Sequence, residues 1–363
     1  MSPIRLIKPY ITYEEVENDF RDVFESGMFT RGKNVETFRK EIASYTGAKH
    51  AFLTTSATTA LWTCLKLLNI GQGDEVIVSD FSFPASANVV EDLGAKPIFA
   101  DVDLATFNML PEDLERKITS NTKAVMFVDA LGNPTGLNKI KEICAKNGIP
   151  LIEDAACGMG SSENKHRCGS IADLTCFSFH PRKLVSAGEG GAITTDNDEW
   201  ARWLEIKLEH GASGRKGIAL DFIEYGYNFR MSELQAIMGI KQLAKLDSIV
   251  DQRNEIRQTY NEQLEPLGYL IQQLDDKVKH NCQSLVFRVP ESISRDQLSI
   301  FLKANNVEST IGYYSLSATT YYQERYADVQ PNSSKLNNIT ITLPCYDRVD
   351  VTRVVSIMSN FKC

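Results

Sequence analysis

The chain has 363 residues, 43% of them hydrophobic and 24% charged, with a formal net charge of −8. That length supports one large core plus a smaller unit. The acidic balance, with no long Lys/Arg run against it, argues against a nucleic-acid partner. No apolar run reaches the roughly 18 residues of a membrane span, and the polar start MSPIRLIKPY lacks a signal peptide's apolar segment. A cytoplasmic protein with no membrane partner is therefore expected.

Helices are predicted over Tyr13–Ser26, where Gly27 provides the stop, and over Asn34–Tyr45. From residue 50 short apolar strands alternate with helices. The strands are His50–Thr54, Glu75–Ser79, Pro97–Asp101, Ala124–Asp129 and Pro150–Glu153, followed by Leu174–Phe179 and Gly191–Thr195. The helices between them are Thr58–Leu68, Ala85–Leu93, Pro111–Ile118 and Leu137–Asn147. Such alternation predicts an α/β fold with a mostly parallel, doubly wound sheet. Continuous apolar runs such as AVMFV fit strands covered on both faces.

One long helix is predicted from Ser232 to about Gln263, leading out of the large domain. A strand over Cys282–Val289 and a helix over Arg295–Asn305 then predict a smaller C-terminal α+β domain. The expected domains are residues 1–248 and 249–363. The glycine-rich, basic GASGRKG (Gly211–Gly217) reads as a connecting loop or a flap over a ligand. The eight cysteines, Cys64, Cys144, Cys157, Cys168, Cys176, Cys282, Cys345 and Cys363, form no C-x-x-C pair. They are expected to be reduced and largely buried, and no metal is expected.

Chemistry concentrates in three stretches. Asp154 ends a predicted strand, where open α/β sheets bind ligands. Lys183 follows another strand 29 residues later, in SFHPRK, ahead of the turn GEGG (Gly188–Gly191). Ser56, Ala57, Thr58 and Thr59 join a strand to a helix, a place where free N–H groups and hydroxyls receive a phosphate. Ser178 lies near enough to Lys183 to share that phosphate. Each piece alone has a plain alternative: a helix cap, a solvated lysine, a flexible turn. In this order on strand ends, a carboxylate, a lysine and a phosphate cradle suit pyridoxal phosphate (PLP).

The stretches SGMFTRGKNVETFRKEIASYTGAKHAFLTTSATTAL, GQGDEVIVSDFSFPASANVVEDLGAKPIFADVD, IEDAACGMGS, CFSFHPRKLVSAGEGGAITT and YGYNFRMSELQAIMG carry a resemblance. The chain resembles the DegT/StrS-type nucleotide-sugar aminotransferases along nearly its whole length. The resemblance implies a fold-type I PLP enzyme, a homodimer with active sites at the subunit interface. It implies an amino group moved from an amino donor, glutamate, to a nucleotide-linked keto-sugar. By matched position it makes Lys183 the Schiff-base lysine and Asp154 the partner of the pyridine nitrogen. Phe83 is the ring that stacks on the cofactor, and Ala57, Thr58 and Ser178 are phosphate contacts. Asn228 reaches the phosphate from the other subunit, while Phe29, Arg31 and Glu189 lie in substrate-binding segments.

Departures from the pattern are Cys157 near the cofactor's 3-oxygen, Asp129 and Leu131 in a strand-end loop, and Ala57 in place of glycine. The stretch IGYYSLS (Ile311–Ser317) is expected to reshape the sugar pocket. Two rival readings are a PLP-dependent sugar dehydratase and a PLP-binding regulator without turnover. Dehydratases of this kind carry histidine where Lys183 stands.

Overall fold

In the computed structural model, which describes residues 2–361, the alternating runs form a seven-stranded sheet. Its strands are β1 (His50–Thr54), β2 (Glu75–Ser79), β3 (Lys96–Ala100), β4 (Thr122–Val128), β5 (Leu151–Asp154), β6 (Leu174–Ser178) and β7 (Gly191–Thr195). The order across the sheet is β1-β7-β6-β5-β4-β2-β3. Neighbours from β6 to β3 are parallel, and β7 runs antiparallel to both β6 and β1. The expected mostly parallel, doubly wound α/β class is what the fold shows. Strands β2, β4 and β5 are buried almost throughout because helices cover both faces.

One face packs on the helices Ala57–Leu67 and Ala85–Asp92, with Leu61, Leu65, Val78 and Ile152 in a single apolar cluster. The other face packs on Lys33–Thr46 and Glu233–Leu243 through Phe38, Ile42, Phe177 and Phe179. Those two helices approach closely at Gly239. A Cβ there would lie 2.3 Å from the Phe38 ring, so only glycine lets the ring seat.

A second sheet is antiparallel: β8 (Leu270–Ile271), β9 (Leu285–Arg288), β10 (Thr310–Ile311) and β11 (Thr340–Leu343), in the order β8-β9-β11-β10. It packs with the helices Arg295–Ala304 and Val351–Ser359 around Leu298, Leu302, Ile341 and Val354.

Four local expectations change. The first helix begins at Glu17, not Tyr13. The single helix over Ser232–Gln263 is two, Glu233–Leu243 and Leu246–Leu264, broken where Lys245 adopts φ −113° and ψ 8°. No glycine or proline marks that break. GASGRKG forms most of an exposed β-hairpin, Ala212–Lys216 paired with Ala219–Phe222. The strand over Cys282–Val289 shortens to Leu285–Arg288, because Asn281 and Gln283 bond to distant loops and Cys282 takes φ +52°. The seven described cysteines are free and buried, and Cys363 lies outside the described residues. Among the described residues no helix is long and apolar enough to cross a membrane.

Candidate active site

The phosphate-type cradle is built by a helix start. Ser56 caps the helix Ala57–Leu67, its Oγ accepting from Thr59 N at 3.1 Å while Thr59 Oγ1 accepts from Ser56 N at 3.1 Å. That box uses both hydroxyls and leaves the N–H groups of Ala57 and Thr58 without an acceptor among the described residues. Strand β7 is pressed against this turn. A Cβ on Gly191 would lie 2.5 Å from the Ser56 carbonyl carbon and 2.7 Å from Ala57 N. Glycine is therefore required where the GEGG turn enters its strand.

Asp154 ends β5 with its carboxylate buried. Ser86 Oγ donates to Oδ2 at 2.7 Å and Ala156 N to Oδ1 at 3.2 Å. Burial raises its pKa above the usual carboxylate range, while these two bonds and the charge of Lys183 pull it down. Ser86 lies inside DFSFPASAN, yet nothing in that motif marks it as the partner of a carboxylate 68 residues away.

Lys183 sits in the turn after β6, its backbone N–H bonded to His180 O at 2.8 Å. Its Nζ donates to Cys157 Sγ at 3.1 Å, and Cys157 Sγ lies 2.8 Å from the Tyr313 hydroxyl. His180 accepts from Arg182 N through Nδ1 at 3.2 Å, the turn role its position suggests. Burial holds its imidazole below the ordinary pKa.

These groups face one cavity of about 530 Å³. Ala57, Thr58, Phe83, Asp154, Ser178, Lys183 and Glu189 all line it, and among the described residues Lys183 is the only lysine that does. Phe83 is 58% exposed, edge-on to Tyr314 at 6.3 Å between ring centroids. Tyr313 and Tyr314 come from the segment flagged as reshaping the pocket, and both line it.

Phe29, Arg31 and Asn228 do not line the cavity. Arg31 pairs with Glu209, and Asn228 bridges to Glu209 through its backbone. Phe29 is edge-on to Phe24 at 5.2 Å. Asn228 does not cap the following helix either, because Ser232 does so, in a capping box with Gln235.

Asp129 and Leu131 are buried beside the site. Asp129, Glu153 and Cys168 bring their ligand atoms within 4.8 Å of one another, although no sequence spacing suggested a cluster. Burial first, then the charge of Glu153, raises Asp129 well above the carboxylate range. Burial also raises Glu153, against the bonds it accepts from Thr175 and Gly169.

A lysine amine, a buried carboxylate and two unfilled helix N–H groups meet at the strand ends of one sheet, an arrangement that fits pyridoxal phosphate. The acceptor-less N–H groups suit a phosphate dianion, the buried Asp154 suits a protonated pyridine, and the amine suits an aldehyde. Residues 11–362 match the DegT/DnrJ/EryC1/StrS aminotransferase family, and the chain belongs to it.

Among its relatives, the spore coat polysaccharide biosynthesis protein SpsC of Bacillus subtilis is 33% identical over 93% of this chain and 91% of its own. GDP-perosamine synthase of Vibrio cholerae is 31% identical, covering 90% of this chain and 89% of its own. The PLP-form of Spr1654 from Streptococcus pneumoniae superposes with a TM-score of 0.90 at 27% identity, over 99% of this chain and 97% of that one. Spr1654 has also been solved in a PMP-form.

Proposed function

We propose that this aminotransferase uses PLP to move an amino group from glutamate to a nucleotide-linked keto-sugar, in the making of a deoxyamino sugar. The single observation that carries the reading is the cavity in which Lys183, Asp154 and the open N–H groups of Ala57 and Thr58 meet.

Bound PLP supplies an aldehyde that captures amines and a ring that withdraws electrons from the carbon bearing them. The chain's own residues do the rest. The N–H groups of Ala57 and Thr58 and the Ser178 hydroxyl hold the phosphate, with the helix dipole behind them. The Asp154 carboxylate, oriented by Ser86 and Ala156, keeps a proton on the pyridine nitrogen. Phe83, which lines the cavity, would pack on the cofactor ring. Lys183 Nζ would hold the cofactor, and its free amine would carry the proton off and onto the reacting carbons. Glu189 faces the sugar. Phe29, Arg31 and Asn228 serve a second copy's cavity, Asn228 at the phosphate and the other two toward the nucleotide sugar.

A homodimer follows from that division. The exposed Phe222, Tyr225 and Ile218, the last 96% exposed, supply apolar surface for it. Residues 1–248 form the cofactor domain and 249–363 the smaller one. The test is a panel of keto-sugar nucleotides presented to the pyridoxamine-phosphate-loaded protein, read as loss of pyridoxamine absorbance. Loss with one sugar supports the reading, and no loss with any keto-sugar while keto acids react would contradict it.

A further inference from the structure

The segment Asn281–Gln283 belongs to none of the motifs, yet it grips both partners of the Lys183–Cys157 contact. Gln283 is 8% exposed. Its Oε1 accepts from Leu184 N at 3.0 Å, and its Nε2 donates to Arg182 O at 2.7 Å. These backbone groups belong to the residues on either side of Lys183. One primary amide thus bridges the lysine's position as a neighbouring strand would.

Asn281 treats Cys157 similarly, its Nδ2 donating to Cys157 O at 2.6 Å and to Met159 O at 2.8 Å. Asn281 Oδ1 also accepts from Gln283 N at 2.8 Å, which ties the two grips together. The buried Arg253, on the helix Leu246–Leu264, holds the segment itself. Its Nε donates to Cys282 O at 2.8 Å and its Nη2 to Gln283 O at 3.1 Å.

We propose that Gln283 is a positioning residue for Lys183, with Asn281 and Arg253 as its mount. The inference rests on the assignment of Lys183 made above. A lysine amine hangs on a flexible four-carbon stem, so its placement depends on the backbone it leaves and the contact it reaches. Its acceptor here, a thiol, is weak. Outside its own turn, Arg182 O and Leu184 N, the backbone groups on either side of the lysine, are both held by this one side chain, while Gln242 holds Ser186 further along. Misplacing a reacting group by about 1 Å costs on the order of 100-fold in rate. The amine's position is accordingly set from the C-terminal sheet, whose strand β9 begins two residues beyond Gln283.

Gln283→Met keeps the size and removes both bonds. Gln283→Glu keeps the acceptor for Leu184 N and loses the donor to Arg182 O. Both are compared with the parent as PLP-loaded protein, for kcat, donor KM, melting temperature and the pH midpoint of the cofactor's visible band. Gln283→Met is expected to lower kcat by about 10- to 100-fold with KM within about twofold, and to move the pH midpoint. Gln283→Glu is expected to fall between it and the parent in kcat.

Parental kcat and midpoint in a folded Gln283→Met protein would overturn the inference, as would a change confined to melting temperature. If the Met variant does not fold, the Glu variant is read by the same two signs. Borohydride reduction and peptide mapping of the parent check the underlying assignment separately. A tag on another lysine overturns that assignment and this inference together. A tag on Lys183 with unaltered Gln283 variants overturns the inference alone.

Discussion

The motif residues settle in two places that differ in kind. Ala57, Thr58, Asp154, Ser178 and Lys183 converge on a cavity roofed by Tyr313 and Tyr314. Phe29, Arg31 and Asn228 gather instead around Glu209 and the start of the helix Glu233–Leu243. The first group has its local needs met: Ser86 and Ala156 bond Asp154, and a capping box frames the open N–H groups. The second group makes contacts within its own chain but does not line this cavity. A motif match therefore identifies a residue's chemistry without saying whose site it serves.

The largest effect should come from the first region. Lys183→Ala is expected to abolish turnover and borohydride-fixed cofactor while leaving the melting temperature within a few degrees. Residual turnover would mean that the cavity's lysine is not the proton carrier. Asp154→Asn should come next, lowering the rate by about 10²- to 10⁴-fold with far less effect on cofactor affinity. Rates near the parent's would reassign Asp154 to a purely structural role.

The second region should give a different signature. On the shared-site proposal, Asn228→Asp would place a carboxylate against the phosphate held by a neighbouring copy. It is expected to weaken PLP binding by equilibrium titration, while the isolated fold stays intact by circular dichroism. Unchanged PLP affinity would separate Asn228 from the site.

The smallest effect concerns stability. Burial holds the His280 imidazole down to about 3, against an ordinary 6.5. The folded chain thus binds fewer protons there than the unfolded chain, so this stability contribution is full above pH 6.5. It is lost as pH falls from about 6.5 toward 3. His280→Gln should flatten that part of the melting-temperature profile, and an unchanged slope would show that other groups set it.

Strand placement and the cradle were legible in the sequence because their signals are local. The apolar runs read as Pro150–Glu153 and Leu174–Phe179 place Asp154 and Ser178 within one residue of their strand ends, and a Ser-x-x-Thr spacing starts a helix. The break at Lys245 carries no glycine or proline and was not legible. Neither was the Gln283 grip, since its partners lie 99 and 101 residues away and an amide that binds backbone leaves no pattern of its own. The Lys183–Cys157–Tyr313 contacts join three separate stretches in the same way. Cys157 was noticeable only as a departure from a family pattern, not as the lysine's neighbour.

The difference between the two regions is tested most directly by mixing subunits. Lys183→Ala and Asn228→Asp chains, each first shown to be inactive alone at a PLP concentration too low to saturate the weakened Asn228→Asp site, are unfolded together, refolded and shown by tagged affinity capture to form hybrids. On the shared-site proposal, a hybrid dimer has one site with both groups intact. Activity should recover to about a quarter of the parent's in an equal statistical mixture. No recovery in verified hybrids would contradict a site shared between two copies.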